Sequence, residues 1–383
     1  MKISTSIIED SIIYISILLV LLGLLVIGNI SSFQFNSEDF SKQLIWVGIS
    51  IVFFLLILLI NLKKLSNLSL LLLILGFLIL IAVFIPGLGV CINGSSRWIR
   101  IGPINFQPST FARLILIFYL VHYLVKNKKF IEQSKPIQFV KYFMPIIIFT
   151  LLYIFLIYRE PDLSTAAILF LIYLSILFAA RIRISTIFSI SFIAISLILL
   201  IVTVKSEPDY RSKRISAFMK LLSGKELDKE EENYCYHPRE SLVALSNGKL
   251  YGRGSNQGKA KLFYLPFSKT DYIFAIFGEE YGFIGSTLLI IVYFILILGC
   301  LTLAQRANDF FYTLLIAGFT FNFAYNIIIN IGVVISLIPS TGVSLPFISY
   351  GGSALLGDSI AIAIILNASR RARLNNNSSL KYA

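Results

Sequence analysis

Charged residues are scarce in this chain of 383 residues: they make up 14% of it, against 57% hydrophobic residues, and the mean hydropathy is +0.84. Soluble domains average about 25% charged residues, so the scarcity excludes an ordinary soluble domain. Apolar runs of about 20 residues, the length of a membrane-crossing helix, recur along the chain. The weaker alternating pattern of a membrane β-barrel is absent. The sequence therefore predicts an all-α polytopic membrane protein.

Residues that bind metals and nucleotides are also scarce. There are two histidines and three cysteines, and the cysteines lack metal-ligand spacing. A phosphate-binding glycine loop is missing, so we expect no bound nucleotide. No internal repeat is evident, which disfavours an inverted-repeat transporter.

The net charge of +13 would suggest a nucleic acid partner in a soluble protein. Here the cations fall mostly in short loops, a pattern typical of the positive-inside rule. Attraction to anionic membrane lipids is a second effect of these cations. We therefore expect membrane lipids, and no nucleic acid, as partners.

The basic clusters between apolar runs predict about ten spans with both termini cytoplasmic. Their approximate bounds are 11–30, 44–61, 67–86, 110–126, 143–158, 164–180, 184–204, 272–303, 310–337 and a tenth span ending near residue 367. The eighth is long enough to be tilted or broken at Gly282 or Gly285. The chain is predicted as one domain, 1–383, with a large extracellular loop at 205–270 and a cytoplasmic tail at 370–383. The acidic run 230–232 in that loop is interpreted as a solvated excursion.

Asp271 stands where a polar segment, 237–271, gives way to an apolar run. A carboxylate at a membrane boundary is costly to desolvate, so it is solvated, paired or functional. Two explanations remain open: Asp271 caps a helix that begins at Tyr272, or it is a general base for a hydroxyl group. The predicted topology places Asp271 on the extracellular side.

A row of amides occupies one face of the ninth predicted span. Asn322, Asn326 and Asn330 recur at four-residue spacing. They predict hydrogen bonds between helices or, as the alternative, a polar path for a substrate.

Six segments carry a resemblance to a known family. The sequence is similar to the shape, elongation, division and sporulation family of membrane glycosyltransferases in RWIRIGPINFQPSTFARL (97–114), EPDLST (160–165), YRSKR (210–214), SLVALSNGKLYGRGSNQG (241–258), LPFSKTDYIFAIFGEEYGFIG (265–285) and IPSTGVSLPFISYGGSALL (338–356). The segments keep their order, and PFISYGGS is highly specific.

The resemblance implies a peptidoglycan glycosyltransferase that polymerises lipid II into β-1,4-linked glycan strands, with inversion, at the outer face of the cytoplasmic membrane. It implies a single-span class B penicillin-binding protein as partner and a divalent cation, Mg²⁺ or Mn²⁺, that neutralises the departing diphosphate. The context of Glu279 and Glu280 resembles division-type members, which implies a location at the division septum. The alternatives are a lipid II flippase and a scaffold that recruits the penicillin-binding protein.

The resemblance also implies site residues. Asp271 matches the family's general base. Arg97, Arg113, Arg211 and Arg214 are implied phosphate contacts, although Arg97 as an interface anchor and the last two as surface cations remain alternatives. The other implied substrate-binding residues are Gln107, Ser109, Glu160, Asp162, Lys269, Thr270, Ser349 and Ser353.

The chain departs from the family's usual residues at four positions. Thr110 and Phe267 stand where the family has Glu, Arg113 where it has Lys, and Lys269 where it has His. Losing two acids makes the site more positive, so we expect the pKa of Asp271 to be depressed. We also expect Glu160 or Asp162 to compensate for the missing acids.

Overall fold

A computed structural model describes residues 4–33, 37–92, 95–102, 104–131, 136–192, 196, 210–223, 225–226, 228–260 and 267–381. The helices whose bounds are described are α1 (Thr5–Phe33), α2 (Ser37–Leu59), α3 (Leu62–Ser66), α4 (Ser69–Ala82), α5 (Pro108–Lys126), α6 (Lys128–Ile131), α7 (Pro136–Arg159), α8 (Leu163–Ala179), α9 (Tyr210–Leu222), α10 (Lys229–Gly248), α11 (Ile273–Arg306), α12 (Phe310–Val334) and α13 (Gly352–Lys381).

These helices confirm the predicted polytopic all-α membrane fold. In the described part of the chain, seven helices are long and apolar enough to cross a membrane: α1, α2, α5, α7, α11, α12 and α13. Two shorter apolar helices, α4 and α8, match the third and sixth predicted spans. The seventh predicted span is helical at 184–192, and most of its remainder lies outside the described residues.

The hydrophobic core is centred on α12, which packs against α11, α13, α8 and α5. Most of its side chains are buried, among them Leu315, Phe319 and Phe323. By contrast, α2 exposes Leu55, Leu56 and other apolar side chains. A helix that is apolar all round is buried in protein or exposed to lipid, so α12 is an inner helix and α2 a lipid-facing one.

A small antiparallel sheet follows α4, in a segment whose glycines and proline gave no strand prediction. Its strands are β1 (Gly89–Ile92), β2 (Ser95–Ile101) and β3 (Ile104–Phe106), with β2 in the middle. Val90 pairs with Trp98, and Arg100 pairs with Asn105. The sheet therefore fixes the position of β2, which carries Arg97.

The long loop predicted at 205–270 contains two helices, α9 and α10. Asp228 caps α10, since its carboxylate accepts a hydrogen bond from the Glu231 backbone N–H while the Glu231 side chain accepts one from the Asp228 N–H. Acidic residues at a helix N-terminus are stabilised by the helix dipole. The acidic run 230–232 is therefore the first turn of a helix, which corrects its interpretation as an excursion.

The predicted break in the long helix α11 occurs at Gly282, whose φ of 69° and ψ of −167° are not helical. A second stretch of backbone, 249–254, lies against this break. The Arg253 and Gly254 N–H groups donate to the carbonyl oxygens of residues 279 and 280, each at 3.0 Å. On the other side of the break, the N–H groups of residues 283 and 284 donate to the carbonyls of residues 249 and 250 at 2.9 and 3.1 Å.

Candidate active site

Asp271 lies in a tight turn, 267–272, directly before α11. The Phe267 carbonyl accepts hydrogen bonds from the Thr270 and Tyr272 N–H groups, at 3.1 and 3.3 Å. Phe267 has a φ of 57°, in the left-handed region that is strained for a bulky residue. The first N-terminal flanking residue of α11 is Tyr272, and no side chain caps the helix. The explanation of Asp271 as a helix cap is therefore wrong.

The backbone of this turn is held by hydrogen bonds from the segment 349–350 and from α12. Ser349 donates to the Thr270 carbonyl at 2.6 Å, and the Tyr350 N–H donates to the Lys269 carbonyl at 2.8 Å. From α12, the Asn330 amide donates to the Asp271 carbonyl at 2.8 Å and to the Val343 carbonyl at 2.7 Å. These bonds hold the Asp271 main chain and leave its carboxylate available.

The pKa of Asp271 is raised from 3.8 to about 7. Burial is the largest cause, since a desolvated carboxyl group favours its neutral form. A hydrogen bond from Thr270 and the positive charges of Arg97 and Arg214 favour the ionised form but are outweighed. The expected depression of this pKa is therefore wrong in direction, although the side chain keeps partial access to solvent.

Arg97 reaches from β2 to the turn that joins α7 and α8. Its guanidinium donates to the Glu160 carbonyl at 3.1 Å and to the Pro161 carbonyl, and lies 3.9 Å from the Asp162 carboxylate. A Cβ added to Gly342 would lie 3.4 Å from Arg97 Nη1 and 3.7 Å from Asp271 Oδ2. Arg97 and Asp271 thus flank one space, which stays open because residue 342 has no side chain.

Glu160 and Asp162 are both buried but have different environments. Asp162 caps α8 by accepting from the Thr165 N–H at 3.1 Å and the Thr165 hydroxyl at 2.9 Å. Glu160 is fully buried, and neither of its carboxyl oxygens has a hydrogen-bond partner among the described residues. Burial and the Asp162 charge raise the pKa of Glu160 to about 8, against the opposing effect of Arg97.

Arg214, on α9, is held near the turn by the Ser340 hydroxyl, which accepts from its Nε at 2.7 Å. Beside it lies His237, whose ring centroid is 5.7 Å from that of Phe267 and 5.9 Å from that of Tyr272. Burial, and then the Arg214 charge, lower the pKa of His237. Sequence reasoning missed this histidine as a site residue, because nothing in the spacing of 237 and 271 indicates their proximity.

Lys269 pairs with a partner outside the site. Its Nζ lies 2.6 Å from the Asp39 carboxylate of α2, with only 11% of the lysine side chain exposed. The structure therefore places Lys269 between the turn and α2 as a tether. Arg211 lies in the first turn of α9, and its side chain is outside the described part of the chain.

The remaining predicted residues lie where α5 begins beside α13. The Gln107 N–H donates to the Ser353 hydroxyl at 3.0 Å. Ser109 is buried, and its hydroxyl has no hydrogen-bond partner among the described residues. The bond between Gln107 and Ser353 joins the start of α5 to α13 at the Asp271 end of the bundle.

Arg113 lies deeper, inside the bundle, with 8% exposure. Its Nη1 donates to the Asn326 side-chain oxygen at 3.1 Å. Of the charged groups around it, Asp358 of α13 attracts it most strongly and Asp162 next. Asp358 also accepts from the Phe347 N–H at 3.1 Å, and a Cβ added to its neighbour Gly357 would lie 2.7 Å from Thr110. Asp358 is therefore the acid that attracts the Arg113 guanidinium most strongly, and sequence reasoning missed it.

Two of the three amide side chains on α12 form hydrogen bonds to other parts of the protein. Asn326 accepts from Arg113, and Asn330 holds the Asp271 turn. The Asn322 side-chain oxygen is buried without a partner among the described residues. This arrangement favours the interpretation of hydrogen bonds between helices over a polar path for a substrate.

Comparison with known proteins places the chain in a family. A sequence profile of the FTSW_RODA_SPOVE family, described as cell cycle protein, matches residues 9–374. Stage V sporulation protein E of Bacillus subtilis (strain 168) is 33% identical over 370 residues, which cover 94% of this chain and 96% of that protein. The probable peptidoglycan glycosyltransferase FtsW of Wigglesworthia glossinidia brevipalpis is 34% identical over 377 residues, with coverage of 94% and 93%.

Solved structures share the fold over nearly the whole chain. One was solved in work on the structural coordination of polymerization and crosslinking by a peptidoglycan synthase complex. It matches with a TM-score of 0.75 and 24% identity, and the match covers 94% of this chain and 97% of that one. Another is the rod shape determining protein RodA of Thermus thermophilus: TM-score 0.66, 20% identity, coverage 94% and 95%. At these identities, the structures establish the fold.

Proposed function

Because the chain belongs to the FtsW, RodA and SpoVE family of cell cycle proteins, we propose that it is a peptidoglycan glycosyltransferase. The substrate is lipid II, which it polymerises into β-1,4-linked glycan strands. The name of the FtsW relative supports this activity. The observation that carries the mechanism is Asp271, a carboxylate with a pKa of about 7 beside Arg97.

Asp271 is the general base. The acceptor's 4-hydroxyl attacks the anomeric carbon of the lipid-linked donor, the bond to undecaprenyl diphosphate breaks, and the hydroxyl proton passes to the carboxylate. A general base works best when its pKa is close to the working pH. The turn supports this role because it fixes the main chain of Asp271 through Ser349 and Asn330, so that the position of the carboxylate does not depend on an ion pair.

Arg97 and Arg214 stabilise the departing diphosphate. A guanidinium presents several N–H donors to phosphate oxygens and keeps its charge at any working pH. Arg97 shares with Asp271 the open space beside Gly342. Arg113 is not in this group of diphosphate contacts, since it is buried, donates to Asn326 of α12 and is attracted by Asp358 of α13.

A divalent cation, Mg²⁺ or Mn²⁺, belongs to the proposal. Among the described residues there is no group of three or more His, Cys, Asp or Glu that could hold a metal ion. Mg²⁺ is commonly held by one or two carboxylates together with substrate phosphates, and Asp162 and Asp271 are acids of the suitable type. When bound, the cation supplies charge neutralisation of the diphosphate.

The proposed partner is a class B penicillin-binding protein with a single span, and the proposed setting is the outer face of the cytoplasmic membrane at the division septum. The similar fold in a peptidoglycan synthase complex supports a synthase partner. Relatives with FtsW and sporulation names support a role in division or sporulation.

Glycan polymerisation from purified lipid II tests the proposal, with the full chain joined to its cognate penicillin-binding protein and Mg²⁺ or Mn²⁺ supplied or chelated. Asp271→Asn is expected to slow polymerisation by about 10²–10⁴-fold, the usual contribution of a general base. Glu226→Gln is the matched control, because it removes an exposed carboxylate from the same loop region.

Polymer at the normal rate from Asp271→Asn would overturn the base assignment. A folded wild-type complex that makes no polymer would overturn the enzyme. In that case, lipid II transfer across vesicles would distinguish a flippase from a scaffold.

A further inference from the structure

A polar cavity lies at the end of the bundle opposite Asp271, where α2, α13 and the α2–α4 connection meet. Its volume is about 350 Å³, and its lining includes Asn61, Lys63, Lys64, Tyr312, Arg371 and Leu374. Cavities of about 300–1,000 Å³ commonly hold small ligands. We call this cavity the basic pocket.

The basic pocket carries more positive charge than its neighbours neutralise. Lys63, Lys64 and Arg371 line it, and Lys63 pairs with the Asp309 carboxylate at 2.5 Å. Among the described residues, Lys64 Nζ has no hydrogen bond or carboxylate partner. An anion that enters this pocket meets two cations that no carboxylate compensates.

The Arg371 guanidinium is oriented before any ligand binds. Its Nε donates to the Asn367 side-chain oxygen at 2.7 Å, and its Nη2 donates to the Ile60 carbonyl at 2.9 Å. Within the described residues, Nη1 donates no hydrogen bond. A guanidinium fixed on one edge loses little entropy when its other edge binds an oxyanion, and phosphate suits its geometry.

The surroundings of the basic pocket are apolar and exposed. Leu374, in its lining, is 65% exposed, and Leu59, at the end of α2, is 78% exposed. The pocket also lies where two membrane-crossing helices, 38–59 and 352–374, end, which is the depth of lipid head groups. A polar, cationic pocket with exposed leucines beside it matches an amphiphile whose phosphate is at the membrane surface.

We propose that the basic pocket binds the phosphate group of an anionic phospholipid. The phosphate contacts Lys64 and the free edge of Arg371. Lys63 also contacts the phosphate after giving up its ion pair with Asp309. The acyl chains lie along the exposed leucines. This binding is independent of catalysis at Asp271.

Native mass spectrometry of the purified full chain tests the proposal, by titration with phosphatidylglycerol and, in parallel, with phosphatidylcholine. Lys64→Gln is expected to weaken phosphatidylglycerol binding about fivefold, and Lys63→Gln with Lys64→Gln about thirtyfold, since each cation near a membrane surface contributes about 1 kcal/mol. Lys129→Gln is the matched control, because it removes an exposed lysine of α6 at the same end of the bundle. Arg371 is left intact, since it also holds the end of α2.

Three results would overturn the proposal: equal retention of both lipids by the wild type, equal losses in the Lys64→Gln and Lys129→Gln variants, or binding of inorganic phosphate as tight as that of the lipid. The last result would assign the pocket to a soluble anion. Preferential retention of phosphatidylglycerol that only the pocket variants reduce would support the lipid.

Discussion

The two ends of the helix bundle use charge in opposite ways. At the Asp271 end, three acids are buried or partly buried beside Arg97, and burial shifts the pKa values of Asp271 and Glu160 toward or above neutrality. At the end that holds the basic pocket, Lys63 pairs with the Asp309 carboxylate, and Arg371 donates to the Ile60 carbonyl just after α2. The Asp271 end therefore has carboxyl groups that gain or lose a proton near neutral pH. The end with the basic pocket has basic side chains bound to acceptors.

The difference shows what each end requires of its surroundings. Desolvation raises the pKa of a carboxyl group, and hydrogen bonds to the carboxylate would lower it again. The residue is therefore best held by its main chain, as Ser349 and Asn330 hold the backbone at 270–271. A fixed cation needs only acceptors, and the last carbonyls of a helix provide them. The Asp271 end consequently depends on buried partners from several elements.

The largest stability effect that would sharpen this contrast is expected from Asp358→Asn. Removing the acid takes away the strongest attraction on the buried Arg113 guanidinium, and a loss of charge compensation in the interior is among the changes that destabilise by about 0.5–3 kcal/mol. The amide of Asn can still accept from the Phe347 N–H. Thermal unfolding and lipid II polymerisation should both be impaired.

A second substitution tests whether the loss in Asp358→Asn comes from the missing negative charge near Arg113. Thr110→Glu in the Asp358→Asn background places an acid three residues before Arg113 on the same helix face, and close to Gly357. It should recover a large part of the lost stability. Unchanged unfolding of Asp358→Asn alone would contradict the pairing.

The next effect concerns the pH dependence of polymerisation. A base with a pKa of about 7 is active when ionised, so the rate should rise about tenfold per pH unit below pH 7 and level off above it. Steady-state polymerisation rates between pH 5 and pH 9 measure this. A profile that is flat across pH 6–8 would show that Asp271 is not desolvated in the working complex.

A smaller effect on activity is expected from Glu160→Gln. Because the pKa of Glu160 is about 8, the group is mostly neutral at pH 7 and cannot supply the missing negative charge. Glutamine mimics the neutral acid, so the rate at pH 7 should stay within about twofold. Asp162→Asn should be more damaging, since Asp162 caps α8 and attracts Arg97. Wild-type polymerisation rates in both variants would exclude both acids as the group that compensates for the missing ones.

Glu160→Gln should also change how stability depends on pH. The native pKa is above the ordinary value of 4.5, so the unfolded chain releases its proton first and stability falls as pH rises from about 4.5 to about 8. In Glu160→Gln, the free energy of unfolding should fall less between pH 4.5 and pH 8 than it does in the wild type. Unfolding temperatures at pH 5 and pH 8, compared with wild type, measure it.

The smallest effect is expected at an exposed pair. Lys42 and Glu38 form an i, i+4 ion pair on α2, with 51% and 76% of their side chains exposed. Exposed pairs contribute little because water screens them. Glu38→Gln should leave the unfolding temperature and polymerisation unchanged, and a marked loss would indicate that this surface is covered by a partner.

The sequence indicated Asp271, the membrane spans and the Gly282 break, because each leaves a local mark: a carboxylate at a polarity boundary, an apolar run, a glycine in a long helix. The resemblance added Arg97 and the Ser349 segment. None of these needs knowledge of which helices touch.

What escaped prediction depends on contacts between distant segments. Asp358 faces Arg113 only because α13 packs against α5, and His237 meets Phe267 only because α10 folds over the turn. The direction of the Asp271 pKa shift was wrong for the same reason. Counting nearby charges from the sequence omits desolvation, which depends on how deeply the turn is packed.

The break at Gly282 has a mechanical consequence for α11. The segment 273–281 is bonded to 253–254, and residues 283–284 are bonded to 249–250. The continuation of the helix across the membrane is joined to Asp271 through a residue with non-helical dihedrals. The two parts of α11 are therefore joined through the stretch 249–254 as well as through Gly282. A displacement of α10, which runs directly into 249–254, acts on both sides of the break through these hydrogen bonds. A partner that moves α10 therefore has a short mechanical route to Asp271.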